Sequence, residues 1–178
     1  MFRRGLVQVR DRLEIARDPI GFARRIGVTV GANCRLLGLQ RMTFGSEPYL
    51  ISIGNHVTIT AGVKFVTHDG GLWVLRDKYP NIDVVGRIVI HDNVFIGLGT
   101  ILLPDIEIGP NVVVGAGSVV RNSISPGTVA VGAPAKPVRT IADYEKRQLA
   151  RALYVRDLPF EEKKRIFLEH TAKSVDRP

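Results

Sequence analysis

Cysteine, tryptophan and long apolar runs are scarce in this chain of 178 residues, which contains one cysteine and one tryptophan. The single Cys34 excludes an intrachain disulfide and fits a reducing cytoplasm, and we expect it to be a small inward-facing side chain. No apolar run approaches the ~18 residues that cross a bilayer. The basic start at Met1–Arg4 is followed by no apolar stretch, so we expect no secretory signal. The composition therefore predicts one soluble domain with a sizeable core.

Acidic residues are also in deficit, with 17 against 25 lysines and arginines, and the net charge is +8. The basic residues concentrate in the first 25 residues and again between residues 146 and 165. Such charge can attract nucleic acid, an anionic membrane surface or a phosphorylated substrate. The sequence has no aromatic stacking platform and no known nucleic-acid motif, so we expect no nucleic-acid partner. We interpret most of the charge as solvated helix surface, and we expect a minority of the basic residues to bind phosphate groups. Weak membrane association through the basic termini is a further possibility.

The feature that is abundant is a repeat of six residues. Aliphatic residues recur at every sixth position from residue 90, and the series is Ile90, Ile96, Leu102, Ile108, Val114 and Val120, closed by Pro126. A helix repeats at about 3.6 residues and a half-buried strand at 2, so a period of six indicates a short strand plus a turn, stacked many times. Three such hexads make one triangular coil of a parallel β-helix.

Each hexad has a second inward position and a glycine. The residue four places after each aliphatic is small or β-branched, in the series Val94, Thr100, Ile106, Val112, Ser118 and Ile124. A glycine directly follows four members of the first series, at Gly97, Gly109, Gly115 and Gly127. We expect these glycines to adopt corner conformations that cost other residues more.

Earlier hexads begin at Val30, Ile53, Ile59 and Phe65, and the segment Ser46-Glu47-Pro48 breaks the spacing. We therefore place an all-β solenoid domain at residues 27–138, preceded by a helical cap at 1–26. Residues 69–87 obey no hexad rule and must leave the coil as a protruding loop. A loop of that length in a compact domain is usually functional.

The two ends of the chain read as helical. Leu6, Val9, Leu13, Ala16 and Ile20 recur at helical spacing before the coils, and Pro19 and Gly21 interrupt that pattern. After the coils, residues 139–178 are predicted to form helices and a tail. One helix is expected at 141–156, a second begins at residue 157, and the chain frays beyond residue 171. We expect these segments to cover the open coil ends.

The hexads, the loop after His68 and the closing phrase at 129–136 together resemble the hexapeptide-repeat acyltransferases over roughly residues 27–140. The nearest group contains the xenobiotic, galactoside and maltose acetyltransferases and the O-acetyltransferases of bacterial polysaccharide synthesis. The resemblance implies a left-handed parallel β-helix that uses acetyl-CoA as cosubstrate and needs no metal. It also implies a homotrimer with each active site between two neighbouring β-helices.

His68 is the predicted catalytic residue, because it stands where the third hexad of a run ends and the loop begins, as the family's catalytic histidine does. An imidazole can take a proton from an acceptor group at neutral pH and pass it to the departing thiolate. Asp69 adjoins it but should point to the opposite face, so we assign it to the acceptor rather than to the ring. A zinc site built from His56, His68 and His91 is the runner-up, although no two of these histidines have the spacing found in the related gamma-class carbonic anhydrases.

By resemblance, acetyl-CoA lies along the later coils, although each glycine there also fits a plain coil corner. The predicted cofactor residues are Gly97, Leu98, Ala116, Gly117, Ser118, Arg121, Gly132, Ala133, Pro134, Lys136 and Arg139. The backbone of Ala116 matches a pantetheine contact, Lys136 and Arg139 match positions near the phosphates and adenine, and residues 132–134 match the bend beneath the cofactor. Leu98 replaces the galactoside group's oxyanion-stabilising serine, so a backbone amide near Gly97 or Leu98 must donate instead.

The acceptor is predicted from the loop. Trp73 offers a face on which a sugar ring could stack, or it packs the loop against a neighbouring subunit, and Arg76 could meet a phosphate. Only about 26 residues precede the coils, too few for a nucleotide-holding domain. We therefore expect O-acetylation of a sugar or glycan in surface polysaccharide biosynthesis. N-acetylation of an amino or nucleotide sugar, acetylation of a streptogramin-type xenobiotic, and a non-catalytic scaffold remain alternatives.

Overall fold

The computed structural model describes residues 2–175, and side chains for residues 8–172. The chain divides into two compact units, Met1–Tyr144 and Glu145–Pro178. No helix among the described residues is both long and apolar enough to cross a membrane.

The first unit is built from short strands that lie in three sheets. The first sheet contains β1 (Thr29–Val30), β3 (Ile51–Ile53), β6 (Ile88–Ile90) and β9 (Ile106–Ile108). The second contains β2 (Arg35–Leu36), β4 (Thr58–Ile59), β7 (Val94–Ile96), β10 (Val112–Val114), β12 (Thr128–Val131) and β13 (Lys136–Thr140). The third contains β5 (Lys64–Phe65), β8 (Ile101–Leu102) and β11 (Val119–Val120).

From β3 to β11, successive strands visit the three sheets in turn, as the period of six predicts. Each of these strands pairs in parallel with the strand one coil away, with Ile90 opposite Ile108, Ile96 opposite Val114 and Leu102 opposite Val120. The last strand, β13, pairs antiparallel with β12. The side chains of Ile90, Ile96, Leu102, Ile108, Val114 and Val120 are at most 1% exposed and form the core of the coil. The second inward series is buried as well, with exposed fractions between 0% and 6%. Stacking one aliphatic side chain per hexad in this way contributes about 1.5–3 kcal/mol for each burial.

The coil turns its corners at a different hexad position from the one expected. Positive φ values of 56° to 68° recur every six residues, and the series is Asn93, Gly99, Asp105, Asn111 and Gly117. Three of these are Asn or Asp, which tolerate the left-handed region better than other residues with a side chain. The corner between the first and second sheets is further joined by side chains, since His56 Nδ1 lies 2.8 Å from Asn93 Oδ1.

The predicted corner glycines Gly97, Gly109 and Gly115 do not have positive φ, so that expectation was wrong for these three. Their requirement is space. A Cβ at Gly97 would lie 2.5 Å from the Ala116 amide nitrogen, and one at Gly115 would lie 2.6 Å from the Val131 side chain. Neighbouring coils therefore approach closely at these positions. Gly127 is the one glycine of the predicted series with a positive φ, at +68°, and so the one that adopts the expected corner conformation.

Two helices precede the coil. Helix α1 spans Phe2–Arg17, and helix α2 spans Pro19–Arg25 with Asp18 accepting a hydrogen bond from the Gly21 amide at 2.8 Å. Helix α2 covers the start of the coil, because Phe22 and Ala23 are fully buried beside β1. The apolar stripe of α1 does not do so, since Val9 is 57% and Leu13 67% exposed.

The predicted helix at 141–156 is shorter than expected. Helix α3 spans Ile141–Leu149, and the chain then turns irregularly before α4 at Phe160–Val175. Pro159 directly precedes α4. An amide hydrogen at this position would have no hydrogen-bond partner within the helix, so proline is well tolerated there. Helix α4 continues past residue 171, where we expected fraying, and residues 176–178 of the predicted tail lie outside the described residues.

Candidate active site

His68 lies where the chain leaves the coil after β5, as the sequence predicts. The base of the loop is closed by backbone hydrogen bonds from Asp69 N to Val84 O and from Gly86 N to Thr67 O, each 2.9 Å. A bridge between His68 and Val85 lies between these bonds. The backbone of His68 is therefore held on both sides of the residue, while its side chain stays 43% exposed.

Glu47 orients this imidazole, a role that the sequence analysis missed. Its Oε2 lies 2.9 Å from His68 Nδ1 and accepts a hydrogen bond from Thr67 Oγ1 at 2.6 Å. With Nδ1 donating to a carboxylate, Nε2 is the ring nitrogen with a free lone pair, and no described residue bonds it. In this arrangement the Glu47 carboxylate holds the His68 imidazole in the tautomer that can act as a base through Nε2.

The Glu47 carboxylate is held in its charged form. Its pKa lies below the ordinary value, chiefly because the Thr67 hydroxyl donates to it, with His68 contributing in the same direction. Partial burial of the carboxyl opposes these effects and is outweighed. A charged Glu47 next to His68 can stabilise the imidazolium that forms when the ring accepts a proton.

The segment that breaks the hexads is what places Glu47. Phe44 is fully buried with its ring 5.1 Å from that of Phe65, and the Phe65 amide donates to Thr43 O at 2.9 Å. Gly45 has a φ of +65°, and a Cβ there would lie 2.9 Å from Phe65 O. The only sequence signal for Glu47 was therefore the irregularity itself, at Ser46-Glu47-Pro48.

The loop residues assigned to the acceptor have separate surroundings. Asp69 accepts a hydrogen bond from the Gly71 amide at 2.8 Å and begins a short 3-10 helix at Gly70–Leu75. Trp73 on that helix is 78% exposed. Arg76 is tied inside the loop, with Nη2 2.7 Å from Asp83 Oδ1 and Nη1 donating to Pro80 O.

A second group of predicted residues lies at the corner between the second and third sheets. Gly99 and Gly117 stack there, and a Cβ built on either would meet no atom within 4 Å. Leu98 is 60% exposed. Neither its amide nor the amide of Ala116 donates a hydrogen bond within the described part of the chain. We call this exposed corner, where two amides have no partner among the described residues, the cofactor groove, because such a surface fits an extended ligand with carbonyl groups.

The amide of Gly97, one of the two expected oxyanion donors, is not available. It donates to Val114 O at 2.8 Å, which leaves the Leu98 amide as the remaining candidate. The Ser118 hydroxyl is not available either, because the side chain is fully buried, donates to Gly115 O at 2.7 Å and accepts from the Gly132 amide at 3.2 Å. The Ser118 side chain therefore holds the corner, and a contact between the Ser118 backbone and the cofactor stays a prediction.

The remaining predicted cofactor residues surround the end of the coil. Residues 132–135 form a turn between β12 and β13, and it contains Gly132, Ala133 and Pro134. Lys136 begins β13 with an exposed side chain, Arg139 is half-buried, and Arg121 is exposed. Lys136 and Arg139 thus lie on one strand beyond the predicted bend.

The other histidines are not gathered around His68. His56 contacts Asn93, and His91 contacts Glu107 through Nε2. Within residues 8–172, no group of three or more His, Cys, Asp or Glu side chains could hold a metal ion. A cavity of about 920 Å³ lies between α1 and the segment 36–42, and neither His68 nor Glu47 lines it.

Comparison with known proteins identifies relatives of this chain. The sequence family described as bacterial transferase hexapeptide (six repeats) matches residues 87–122. Protein CapG of Staphylococcus aureus is 56% identical over 141 residues, which cover 79% of this chain and 82% of CapG. WbbJ of Escherichia coli, whose name refers to O-acetyl transfer in lipopolysaccharide biosynthesis, is 37% identical over 97 residues, half the length of each chain.

A solved structure extends the likeness to the fold. The hexapeptide-repeat acetyltransferase VCA0836 from Vibrio cholerae superposes with a TM-score of 0.54 at 26% sequence identity. The superposition covers 65% of this chain and 63% of VCA0836.

Proposed function

This chain belongs to the hexapeptide-repeat acyltransferases, and from that premise we propose that it transfers an acetyl group from acetyl-CoA to a hydroxyl group of a sugar or glycan. The observation that carries the proposal is the Glu47–His68 pair at the mouth of the loop, with Nε2 of the ring left free. We further propose that the coil is left-handed, as the resemblance implies, and that the enzyme works in the cytoplasm.

His68 acts as the general base. Its Nε2 accepts the proton of the acceptor hydroxyl as the hydroxyl oxygen attacks the thioester carbonyl carbon. The Leu98 amide, which has no partner within the described chain, would donate to the oxygen that becomes negatively charged. When the carbon–sulfur bond breaks, the imidazolium returns the proton to the thiolate, and Glu47 stabilises the charged ring between the two steps.

The groove at the corner of Gly99 and Gly117 is the proposed binding surface for the pantetheine arm. Free amides at Leu98 and Ala116 fit its carbonyl groups, and the exposed Leu98 side chain fits its apolar parts. Lys136 is proposed to contact the phosphates beyond the turn at 132–135. Arg139 and Arg121 are proposed to lie near the nucleotide.

The base and the groove lie on different corners of one chain, and this favours an active site shared between subunits. Gly99 lies at the corner before β8, whereas His68 lies at the corner after β5. Because β5 pairs with β8, the corner of His68 corresponds to that of Asp105, which follows β8. The third sheet therefore separates the two features within one subunit. In a homotrimer of triangular coils, the groove of one subunit can face the His68 corner of the next.

The acceptor is proposed to be a sugar or a glycan intermediate of surface polysaccharide biosynthesis. The name of WbbJ points to that class, and the exposed Trp73 beside the His68 end of the loop offers a ring face on which a sugar can stack. Asp69 supports the loop at its first turn and is proposed to contact the acceptor. Arg76 is proposed to keep the loop in shape through Asp83 while facing an anionic part of the acceptor.

Two variants test the division of labour between catalysis and cofactor binding. We expect His68→Ala to lower acetyl transfer by about 10²-fold or more while CoA binding, measured by calorimetry, is unchanged. Lys136→Ala should weaken CoA binding and leave turnover at saturating acetyl-CoA nearly intact. Thiol release in the presence of sugars, nucleotide sugars, amino sugars and streptogramins identifies the acceptor. Full activity of His68→Ala would remove the ring from the mechanism, and no thiol release with any acceptor would favour a scaffold.

A further inference from the structure

Helix α1 has its apolar side turned away from the rest of its unit. Val9, Leu13 and Ala16 lie at spacings of four and three residues and so share one side of the helix. Val9 and Leu13 are 57% and 67% exposed, and Ala16 is exposed at the edge of the cavity beside the segment 36–42. We call this surface the α1 stripe. The opposite side carries Asp11, which is only 5% exposed.

The acidic residues of α1 are all used on the inner side. Asp11 accepts from Arg25 Nη2 at 2.8 Å and from Arg41 Nε at 3.1 Å. Glu14 accepts from Arg25 Nε at 2.9 Å. Because α2 and the segment before Glu47 supply these arginines, the ion pairs to the buried Asp11 and to Glu14 fix which side of α1 faces inward. The α1 stripe is thereby held outward.

Arginines flank the α1 stripe without matching acids. Arg10 and Arg17 lie seven residues apart on one flank and Arg12 lies on the other. Arg10 approaches Asp11 only at 4.0 Å and is 65% exposed. Arg12 and Arg17 form no ion pair with any acidic side chain in residues 8–172. An exposed apolar strip between unpaired guanidinium groups is the pattern of a helix that lies in a membrane interface.

We propose that α1 binds an anionic lipid surface, with the α1 stripe in the interfacial region and Arg10, Arg12 and Arg17 at lipid phosphates. Charge favours this partner over a second copy of the helix, because two such helices would place arginines against arginines. Anionic phosphates instead attract basic residues and leave the apolar strip free to enter the headgroup region. The α1 stripe contains no residue of the Glu47–His68 pair or the cofactor groove.

The test uses the full chain and sedimentation with vesicles of phosphatidylcholine alone or with phosphatidylglycerol. The protein should sediment with the anionic vesicles only, and salt should release it. Leu13→Glu should lower the partition coefficient by about tenfold or more. Leu149→Glu, which makes the same change at a leucine that is 56% exposed on α3, is the matched control and should leave binding unchanged. Arg10→Gln with Arg17→Gln, which leaves Arg12 in place, should weaken the preference for anionic lipid.

Three outcomes would overturn the proposal. The first is that the wild type does not sediment with anionic vesicles, and the second is that Leu13→Glu binds them as well as the wild type does. The third is that Leu13→Glu has a lower oligomeric mass than the wild type in light scattering. The last would assign the α1 stripe to a subunit contact. Circular dichroism verifies that each variant is folded. CoA binding should be unchanged in all α1 variants, so a failure here is separate from a failure of the proposed acetyl transfer.

Discussion

At the scale of single residues, His68 contacts a carboxylate that the repeat does not predict. Glu47 reaches His68 from an irregular segment one coil away, and it meets Thr67 as well as the ring. The Thr67 side chain is completely buried, so its hydroxyl has a fixed direction. The charge and position of Glu47 are therefore linked, and both can be tested by replacing one atom.

Glu47→Gln should lower kcat/KM by about tenfold or more, because a neutral amide stabilises the imidazolium less than a carboxylate does. CoA binding should be unaffected. Steady-state thiol release with the identified acceptor measures the effect. Thr67→Val keeps the carboxylate but removes its hydroxyl partner, and it should reduce activity by less. Equal activity of Glu47→Gln and wild type would show that the pair has only a structural role.

The same residue gives stability a defined pH dependence. The pKa of Glu47 is lower in the folded chain than its ordinary value of 4.5, so the carboxylate stabilises the fold fully above that value. The contribution is lost as pH falls through the lowered pKa. The difference in unfolding free energy between wild type and Glu47→Gln should therefore shrink on going from pH 6 to below pH 4. Urea titrations at both pH values measure it, and a constant difference would contradict the assignment.

At the scale of elements, the sequence predicts the inward columns and the site of the loop because both follow from strict spacing. Ile96 or Leu102 must face the core once the period is six. Spacing does not predict which glycine turns the corner, because close approach at Gly97 and positive φ at Gly99 give the same residue type. It also does not predict that Asp11 faces inward, because two arginines far along the chain determine that.

Two glycine variants separate these requirements. Gly97→Ala should destabilise the chain by about 2 kcal/mol or more, since the new Cβ would meet backbone at 2.5 Å. Gly99→Asn should stay within about 1 kcal/mol of wild type, because there is open space and asparagine already occupies the equivalent conformation at Asn93 and Asn111. Urea midpoints measure both, and the reverse order would refute the distinction.

At the scale of the whole molecule, an exposed apolar ridge adjoins the proposed cofactor groove. Phe95, Leu98 and Ile101 are 43%, 60% and 37% exposed and follow one another around the corner between the second and third sheets. An exposed apolar ridge of this kind often marks a contact surface. Its place beside the groove fits an active site completed by a neighbouring subunit.

Light scattering should give a mass near three times the 19.6 kDa of one chain. Ile101→Arg should lower that mass and acetyl transfer together, because a charge on the third sheet would oppose packing between coils. A monomeric wild type with full activity would place the complete site within one chain and exclude the shared arrangement.

The closed base of the loop has a consequence for how such a molecule can diversify. Thr67 and Gly86 are joined directly by a hydrogen bond, so the coil continues as though the intervening residues were absent. The length and composition of this insert can therefore change without altering the register of the coils above and below it. Exchanging residues 70–83 between relatives should therefore transfer the acceptor preference of one enzyme to the other, while the residues proposed to bind acetyl-CoA stay unchanged.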